Sequence, residues 1–448
     1  MYFETLTICV LYQREFKELF RLAGPLAAAQ AGQQLMGLVD VAVLGRYGAR
    51  ELAASGVGNA VFFAFTVIGM GIVLGLDPLV AQAVGAGDRV RARHVLWQGI
   101  WLSLIVSGVL MVVLVGAAFA LPVIGTPELI APARLFLLIR TAAMAPILVF
   151  CAVRSYLQAY GVTQPMVVAM IGANILNLLG DIVLVFGYGP IPSMGVAGAA
   201  LATFFCTFLQ LGIVLLAIPQ IKVEGEVDRR FDVRAITQSF RIGMPIGFQM
   251  GAEVGVFALV ALLAGRLGTL QLAAHQVVIN LASFTFTIAV GVASAGSVRV
   301  GQAIGARDAR RTRVAGHVAF AGGALVMGVG AIAFALFPGR IAGLVTDQQH
   351  IIEAAIPLMI VAAVFQLSDG IQAAGAGVLR GAADTRYAFI ANVIGHWCVG
   401  LPIALYLGFT AHMGVVGLWW GLCVGLTVVA ILLFTRFERM SKNLIEPV

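Results

Sequence analysis

Charged side chains are scarce in this sequence of 448 residues. It contains 28 Lys and Arg and 21 Asp and Glu, 49 in all, whereas 60% of its residues are hydrophobic and the mean hydropathy is +0.99. So little charge is unlike the surface of a water-soluble protein, and about 20 consecutive apolar residues are enough to span a membrane. The composition therefore predicts an integral membrane protein that crosses the bilayer many times.

Several motifs that mark enzymes and ATP-driven pumps are also missing. The five cysteines are scattered without CxxC spacing, so we expect neither a disulfide framework nor a zinc site. No HExxH metal motif occurs, and the glycine-containing turns at Asp88 and Asp308 lack the GxxxxGK[ST] pattern of a phosphate loop. The N-terminus has no secretory-signal pattern. We expect a protein that is not an enzyme and has no cofactor beyond a coupling ion, Na⁺ or H⁺.

Twelve apolar runs are long enough to span a bilayer, which predicts an all-α polytopic fold. With both termini in the cytoplasm, the inner segments carry 22 Lys and Arg and the outer segments carry six, as the positive-inside rule requires. The net charge of +7 is therefore a topology signal, and nucleic acid is not an expected partner. The predicted spans are Leu19–Leu44, Leu52–Val80, Val95–Leu121, Leu135–Leu157, Met166–Tyr188, Val196–Ile218, Ile236–Ala264, Leu272–Val300, Val314–Phe337, Ile351–Leu379, Ala388–Phe409 and Val415–Phe434.

The two halves of the sequence repeat at an offset of 220 residues. RLAGPL aligns with RIGMPI, which superposes Pro25 on Pro245, and VAQAVGAGDRVRAR aligns with VGQAIGARDARRTR. Six spans per half make this a parallel repeat, the plan of transporters in which two helix bundles rock around a binding site. Both prolines remove a backbone donor and so permit helix bending. The predicted parts are a cytoplasmic segment (1–18), a six-helix bundle (19–219), a linker (220–235), a second six-helix bundle (236–437) and a cytoplasmic tail (438–448).

Acidic residues inside the apolar runs are the main candidates for a functional site, because an unpaired carboxylate in the bilayer is costly. Asp40 and Asp181 lie at matching depth in the first bundle, and Glu253 and Asp369 lie at matching depth in the second. Two neighbouring carboxylates do not both ionise readily, so one keeps a proton or a cation bridges them. The sequence predicts a Na⁺ or H⁺ site at either pair.

Other polar residues in the spans have two interpretations each. Asn174 and Asn177 share a helical face with Asp181, so their amides either contribute to the acid site or hydrogen-bond between helices. His396 either titrates or is an ordinary hydrogen-bonded histidine, and the second interpretation is favoured.

Methionine and aromatic residues offer an adaptable apolar surface for a substrate. We expect small-molecule drugs and organic cations as partners, membrane lipid around the spans, and a monomer. Packing in the core is the alternative role for each candidate lining residue. These candidates are Met36, Phe62 and Phe365.

Several of the repeated segments resemble the multidrug and toxic compound extrusion (MATE) family. They are GLVDVAVLGRYGARELAASGVG, DPLVAQAVGAGD, SYLQAYGVTQP, NILNLLGDIVLVFG and GAADT, and the likeness extends from about Glu18 to Phe437. The acids at Glu253 and Asp369 resemble the NorM-like branch, which has such a pair, rather than the DinF-like branch, although LVDVAVLG is also similar to DinF-like proteins. The resemblance implies a bacterial inner-membrane transporter that exports amphiphilic organic compounds by cation antiport.

The resemblance also implies roles for individual residues. In family members an Asp of helix 1 clusters with an Asn and an Asp of helix 5, which corresponds here to Asp40, Asn177 and Asp181. Bending of helix 1 near the position of Pro25 accompanies protonation in some relatives. An aromatic residue near the second acid pair corresponds to Phe365, which has no hydroxyl to act as a ligand.

A flippase for lipid-linked oligosaccharides is the alternative transporter. Such a protein needs arginines lining a cleft that holds pyrophosphate. In the fourth predicted span only Arg140 and Arg154 are arginines, so this alternative has less support than drug export.

Overall fold

The computed structural model describes residues 2–123 and 127–448, and within these ranges the chain is helical with no β-strand. Two π-helical segments, Ile394–Gly400 and Tyr406–Thr410, lie among the α-helices. The α-helices are α1 Tyr2–Tyr47, α2 Ala49–Val73, α3 Leu76–Gly85, α4 Arg89–Ala120, α5 Pro127–Thr141, α6 Met144–Ala159, α7 Gln164–Phe186, α8 Val196–Ala217, α9 Val233–Leu267, α10 Thr269–Gly305, α11 Ala309–Leu336, α12 Pro338–Ala342, α13 Gln349–Gly381, α14 Thr385–Val393, α15 Leu401–Leu405 and α16 Gly414–Met440.

The helices account for the predicted membrane spans. In the described part of the chain, ten helical stretches are long and apolar enough to cross a membrane, and the pair α5 and α6 forms an eleventh that is bent by 41°. The remaining predicted span, Leu19–Leu44, lies inside α1. The prediction of an all-α polytopic membrane protein is confirmed.

Two predicted spans are less regular than the sequence suggested. The span Leu135–Leu157 is divided into α5 and α6, because Pro146 has no N–H to donate to the carbonyl of Ala142 and the helix cannot continue unbroken. The span Ala388–Phe409 contains the two π-helical segments on either side of α15, which includes Pro402. By contrast, α1 and α9 continue through Pro25 and Pro245.

The chain forms two compact units whose bounds follow the 220-residue repeat. One unit, called here the C-terminal unit, comprises residues 1–27, 81–87 and 248–448, and the other, the N-terminal unit, comprises residues 28–80 and 88–247. The breaks after residues 27 and 247 are 220 positions apart, and each follows two residues after a proline of the repeat. Each unit therefore contains a segment from the other sequence half, unlike the predicted bundles 19–219 and 236–437.

Close backbone contacts explain why these segments change unit. A Cβ atom added to Gly291 of α10 would lie 2.8 Å from the carbonyl oxygen of Ala23 in α1, inside the C-terminal unit. A Cβ added to Gly71 of α2 would lie 2.4 Å from the Cα of Gly247 in α9, inside the N-terminal unit. Helices without side chains at the crossing approach each other closely and pack over a large area. The first part of α1 and the first part of α9 are held in this way.

The turns at Asp88 and Asp308 have the same structure. Each aspartate caps the helix that follows, accepting a hydrogen bond from the backbone N–H three residues later at 2.8 and 2.9 Å. The preceding residues, Gly87 and Arg307, both have positive φ, 77° and 54°. This conformation suits glycine and is uncommon for arginine, so the repeat has kept the turn where the sequence changed.

Candidate functional site

The N-terminal unit brings together the acids and the amide predicted for it. Asn177 of α7 donates from Nδ2 to Oδ1 of Asp40 at 2.8 Å, and Thr203 of α8 donates from Oγ1 to Oδ2 of Asp40 at 3.2 Å. The carboxyl group of Asp181 lies next to that of Asp40, close enough for one to donate a hydrogen bond to the other when protonated. Both Asp181 oxygens are buried and accept no hydrogen bond from any other described residue.

The helices that carry this cluster are held close by a small residue. A Cβ added to Gly32 of α1 would lie 2.6 Å from Cγ of Met170 in α7. Asn174 donates from Nδ2 to the carbonyl oxygen of Gly32 at 2.9 Å and to that of Met170 at 2.8 Å. The Asn174 amide nitrogen thus bonds between helices, as the alternative interpretation held, while Asn177 one turn later reaches Asp40.

A positive charge also belongs to this cluster, although the sequence analysis considered it only for the flippase alternative. Arg140, the penultimate residue of α5, is attracted electrostatically by Asp40. Its guanidinium carbon lies 4.6 Å from the ring centroid of Phe62, a cation–π distance. Its Nε and Nη1 atoms are buried and have no hydrogen-bond partner among the described residues.

The C-terminal unit brings together the second acid pair. Asn392 of α14 donates from Nδ2 to Oε2 of Glu253 in α9 at 3.5 Å, and Gln372 of α13 also hydrogen-bonds to Glu253. Asp369, one turn before Gln372, is 5% exposed and repelled electrostatically by Glu253. Two acids and two amides therefore meet within the membrane.

The surroundings of the second pair favour a monovalent cation or a proton. The oxygens Oε1 of Gln372 and Oδ1 of Asn392 are buried and accept no hydrogen bond from the described residues. No lysine or arginine contributes a charge to either acid. Carboxylate and amide oxygens are ligands for hard cations. No group of three or more His, Cys, Asp or Glu side chains suited to a metal ion occurs in the described residues, so the site does not resemble one for zinc.

The remaining predicted site residues are packed in the interior. The Nδ1 atom of His396 lies 3.2 Å from the carbonyl oxygen of Asn392, and its Nε2 atom is buried without a partner in the described part of the chain. Phe365 stacks edge-on against Phe257 and Trp419 in the core of the C-terminal unit. Three predicted cavity residues are each only 2% exposed: Met36, Phe62 and Phe365. Of these, Phe62 alone contacts a charged group, Arg140.

Sequence reasoning missed four residues of the two clusters. Gln372 had a detectable signal, because it follows Asp369 by three residues and thus shares its helical face. Asn392 is an amide inside an apolar run and was open to the same argument as Asn177. Thr203 had no such signal, since threonines are common in membrane helices. The position of Arg140 beside Asp40 depends on how separate helices pack.

The comparison with protein families matches this architecture. The MatE family model matches residues 25–183 and 245–406, which include all four acids. The chain belongs to the MatE family. The probable multidrug resistance protein NorM of Pseudomonas putida is 33% identical over 446 residues, covering 96% of both chains. The protein of the same name from Deinococcus radiodurans is 35% identical over 439 residues, with the same coverage.

Solved MATE structures share the fold of this MatE protein. A eukaryotic MATE transporter superposes with a TM-score of 0.85 at 22% sequence identity, covering 96% of this chain and 98% of that chain. A multidrug resistance MATE family transporter in an outward-facing conformation superposes with a TM-score of 0.87 at 20% identity, covering 98% of each chain. The fold of twelve transmembrane helices is that of MATE transporters.

Proposed function

We propose that this MatE protein is a multidrug efflux transporter that exports amphiphilic, often cationic organic compounds in exchange for Na⁺ or H⁺. Its NorM relatives, which are named as multidrug resistance proteins and align over 96% of the chain, support this assignment. The distribution of Lys and Arg supports a bacterial inner-membrane location with both termini in the cytoplasm.

The observation that carries the proposal is the Glu253 and Asp369 cluster. Two carboxyl groups lie together in the membrane with the free oxygens of Gln372 and Asn392 beside them. Ionising both acids is unfavourable unless a proton or a cation stays bound. A site that binds such an ion when open to one side and releases it when open to the other couples ion entry to drug exit. Alternation between two packings of the helical units would supply the two openings.

The two acid clusters differ in a way that assigns the coupling ion. Asp40 has the permanent positive charge of Arg140 near it, which repels Na⁺ and compensates the carboxylate. Glu253 and Asp369 have no such neighbour among the described residues. We therefore place the coupling ion at Glu253 and Asp369. The cluster of Asp40, Asn177 and Asp181 is then a site of proton exchange in the other unit.

The flippase alternative has little support from these positions. Arg140 and Arg154 are 14 residues apart, or about 21 Å along a helix at 1.5 Å per residue. Arg154 lies beside Gln30, 3.5 Å from Nη1 to Oε1. Two arginines so far apart do not grip one pyrophosphate, whose two phosphorus atoms are separated by a single bridging oxygen.

Transport by the purified protein in liposomes tests the proposal. Wild-type protein should move ethidium, a fluorescent organic cation, when a Na⁺ or proton gradient is imposed, and Glu253→Gln or Asp369→Asn should reduce this coupled transport at least tenfold. Asp308→Asn is the matched control, since it neutralises an acid in an exposed turn. The melting temperatures of all variants should remain near that of the wild type. Gradient-driven transport of normal rate in both site variants would remove these acids from the mechanism.

A further inference from the structure

Arg140 is a buried cation for which the proposed ion coupling has no use. The Nε and Nη1 atoms of its guanidinium are buried without a hydrogen-bond partner among the described residues. A buried polar hydrogen that finds no acceptor costs about 1–3 kcal/mol, and more when it belongs to a charged group. An acceptor bound to Arg140 would therefore be stabilised.

Asp40 does not satisfy these N–H groups. One of its carboxylate oxygens accepts from Asn177 and the other from Thr203. Asp40 attracts Arg140 electrostatically, but the described side chains leave the Nε and Nη1 atoms of Arg140 without a bond. The guanidinium thus keeps its donors for another acceptor while Asp40 balances its charge.

The backbone at Arg140 is interrupted, which is a second and independent feature of this place. Arg140 is the next-to-last residue of α5, and the chain bends by 41° between α5 and α6. The carbonyl of Arg140 accepts from the N–H of Ala143 as the helix ends. In membrane transporters, substrates bind where transmembrane helices are discontinuous, because such breaks are tolerated only beside protein or a water-filled cavity.

We propose that Arg140 binds the anionic group of zwitterionic or anionic amphiphiles, a carboxylate in the simplest case. Guanidinium and carboxylate match as planar, two-point partners, and such charge-assisted bonds are stronger than neutral ones. The ring of Phe62 supports one face of the guanidinium and limits its orientation. This inference rests on the proposed export function and extends its substrates from organic cations to molecules that also carry a negative charge.

A pair of matched fluorescent dyes tests the inference. Rhodamine 110 carries a free carboxylic acid, and rhodamine 123 is its methyl ester, so the two differ only in the group that Arg140 would recognise. Fluorescence anisotropy with the purified full-length protein measures the affinity for each dye. Wild-type protein should bind both. Arg140→Gln should weaken rhodamine 110 at least tenfold while changing rhodamine 123 less than threefold.

Two further variants complete the design. Arg140→Lys keeps the charge but loses the two-point geometry, so its affinity for rhodamine 110 should lie between those of wild type and Arg140→Gln. Arg154→Gln removes an arginine from α6 and should change neither dye. An equal loss of both dyes in Arg140→Gln would show a structural role and overturn the inference. So would an unchanged affinity for rhodamine 110, or its failure to bind the wild type.

Uptake measurements separate this inference from the proposed function. If a cation gradient drives rhodamine 123 through wild-type protein and Arg140→Gln does not discriminate between the dyes, the inference alone is wrong. If Arg140→Gln discriminates between the dyes but no gradient drives either one, the carboxylate site stands and the antiport proposal is wrong.

Discussion

At the scale of single residues, Asp232 shows how one carboxylate begins a helix. Its Oδ1 atom accepts from the backbone N–H of Arg234 at 2.8 Å and of Ala235 at 3.4 Å, in the first turn of α9. These bonds hold the pKa of Asp232 below its ordinary value of 3.8, and the attraction of His94, 3.6 Å away, adds to the effect. The residue lies in the linker just before α9, at the start of a helix that both units share.

Removal of this cap should destabilise the protein in a pH-dependent way. Because the pKa of Asp232 is lower in the folded than in the unfolded state, its contribution is present above about pH 4 and is lost as the pH falls through the folded value. We expect Asp232→Ala to lower the melting temperature in detergent at pH 7 and to differ less from wild type near pH 3.

Asp228→Ala is the matched control for this prediction. Asp228 also accepts from a backbone N–H, that of Arg230 at 2.8 Å, but it begins no helix. A melting-temperature difference for Asp232→Ala that is the same at pH 7 and pH 3 would contradict the assignment.

At the scale of helices, α3 and α10 cross through two glycines that occupy the same place in the repeat. A Cβ on Gly85 would lie 2.1 Å from the carbonyl oxygen of Gln302, and a Cβ on Gly305 would lie 2.0 Å from that of Gln82. The two contacts are the same contact seen from each half, since both pairs are offset by 220 residues. Backbone atoms are the obstacle in each case, so no side-chain rotation makes room.

Alanine at either glycine should therefore destabilise the crossing. We expect Gly85→Ala and Gly305→Ala each to lower the free energy of unfolding by about 1–3 kcal/mol, the usual effect of overpacking, and by similar amounts. Gly116→Ala in α4 is the control, because nothing lies within 4 Å of its added Cβ and alanine favours a helix interior by about 0.5–1 kcal/mol. Thermal unfolding in detergent measures all three. A much larger effect at one glycine than at the other would argue against an equivalent crossing.

At the scale of the whole molecule, the first 27 residues are tied to a unit formed mainly by the second half of the sequence. Glu15 is 1% exposed and accepts from Arg299 of α10 at 2.8 and 2.9 Å and from Arg311 of α11 at 3.0 Å. Tyr12 and His317 of α11 add a hydrogen bond of 2.9 Å. The continuous helix α1 then carries Asp40 into the N-terminal unit. One helix thus connects this anchor to a candidate proton site.

Neutralising Glu15 should loosen this anchor. Breaking a buried ion pair by removing one partner costs about 3–5 kcal/mol, because the other charge stays buried. We expect Glu15→Gln to lower the unfolding free energy by that order and to expose the start of α1 to protease. Glu18→Gln, on the same helix and more exposed, should change neither. Wild-type protease resistance in Glu15→Gln would show that other contacts hold α1.

The sequence alone was enough to predict the membrane-spanning helices, the repeat and the positions of the acids. Each of these follows from a local or periodic rule: hydrocarbon requires about 20 apolar residues per span, and charges inside a span are rare enough to stand out. Asp40 and Asp181 could be paired because equal depth in one bundle is readable from distance along each helix.

Only the tertiary structure decided which side chains meet across helices. Thr203 reaches Asp40 from 163 residues away, and Asn392 reaches Glu253 from 139 residues away. Arg140 stands beside Asp40 because of the rotation and packing of α5, which hydrophobicity does not specify when most faces of a helix are apolar. The exchange of α1 and α9 between the units likewise depends on backbone contacts at glycines, and a repeat in the sequence does not reveal which copies touch.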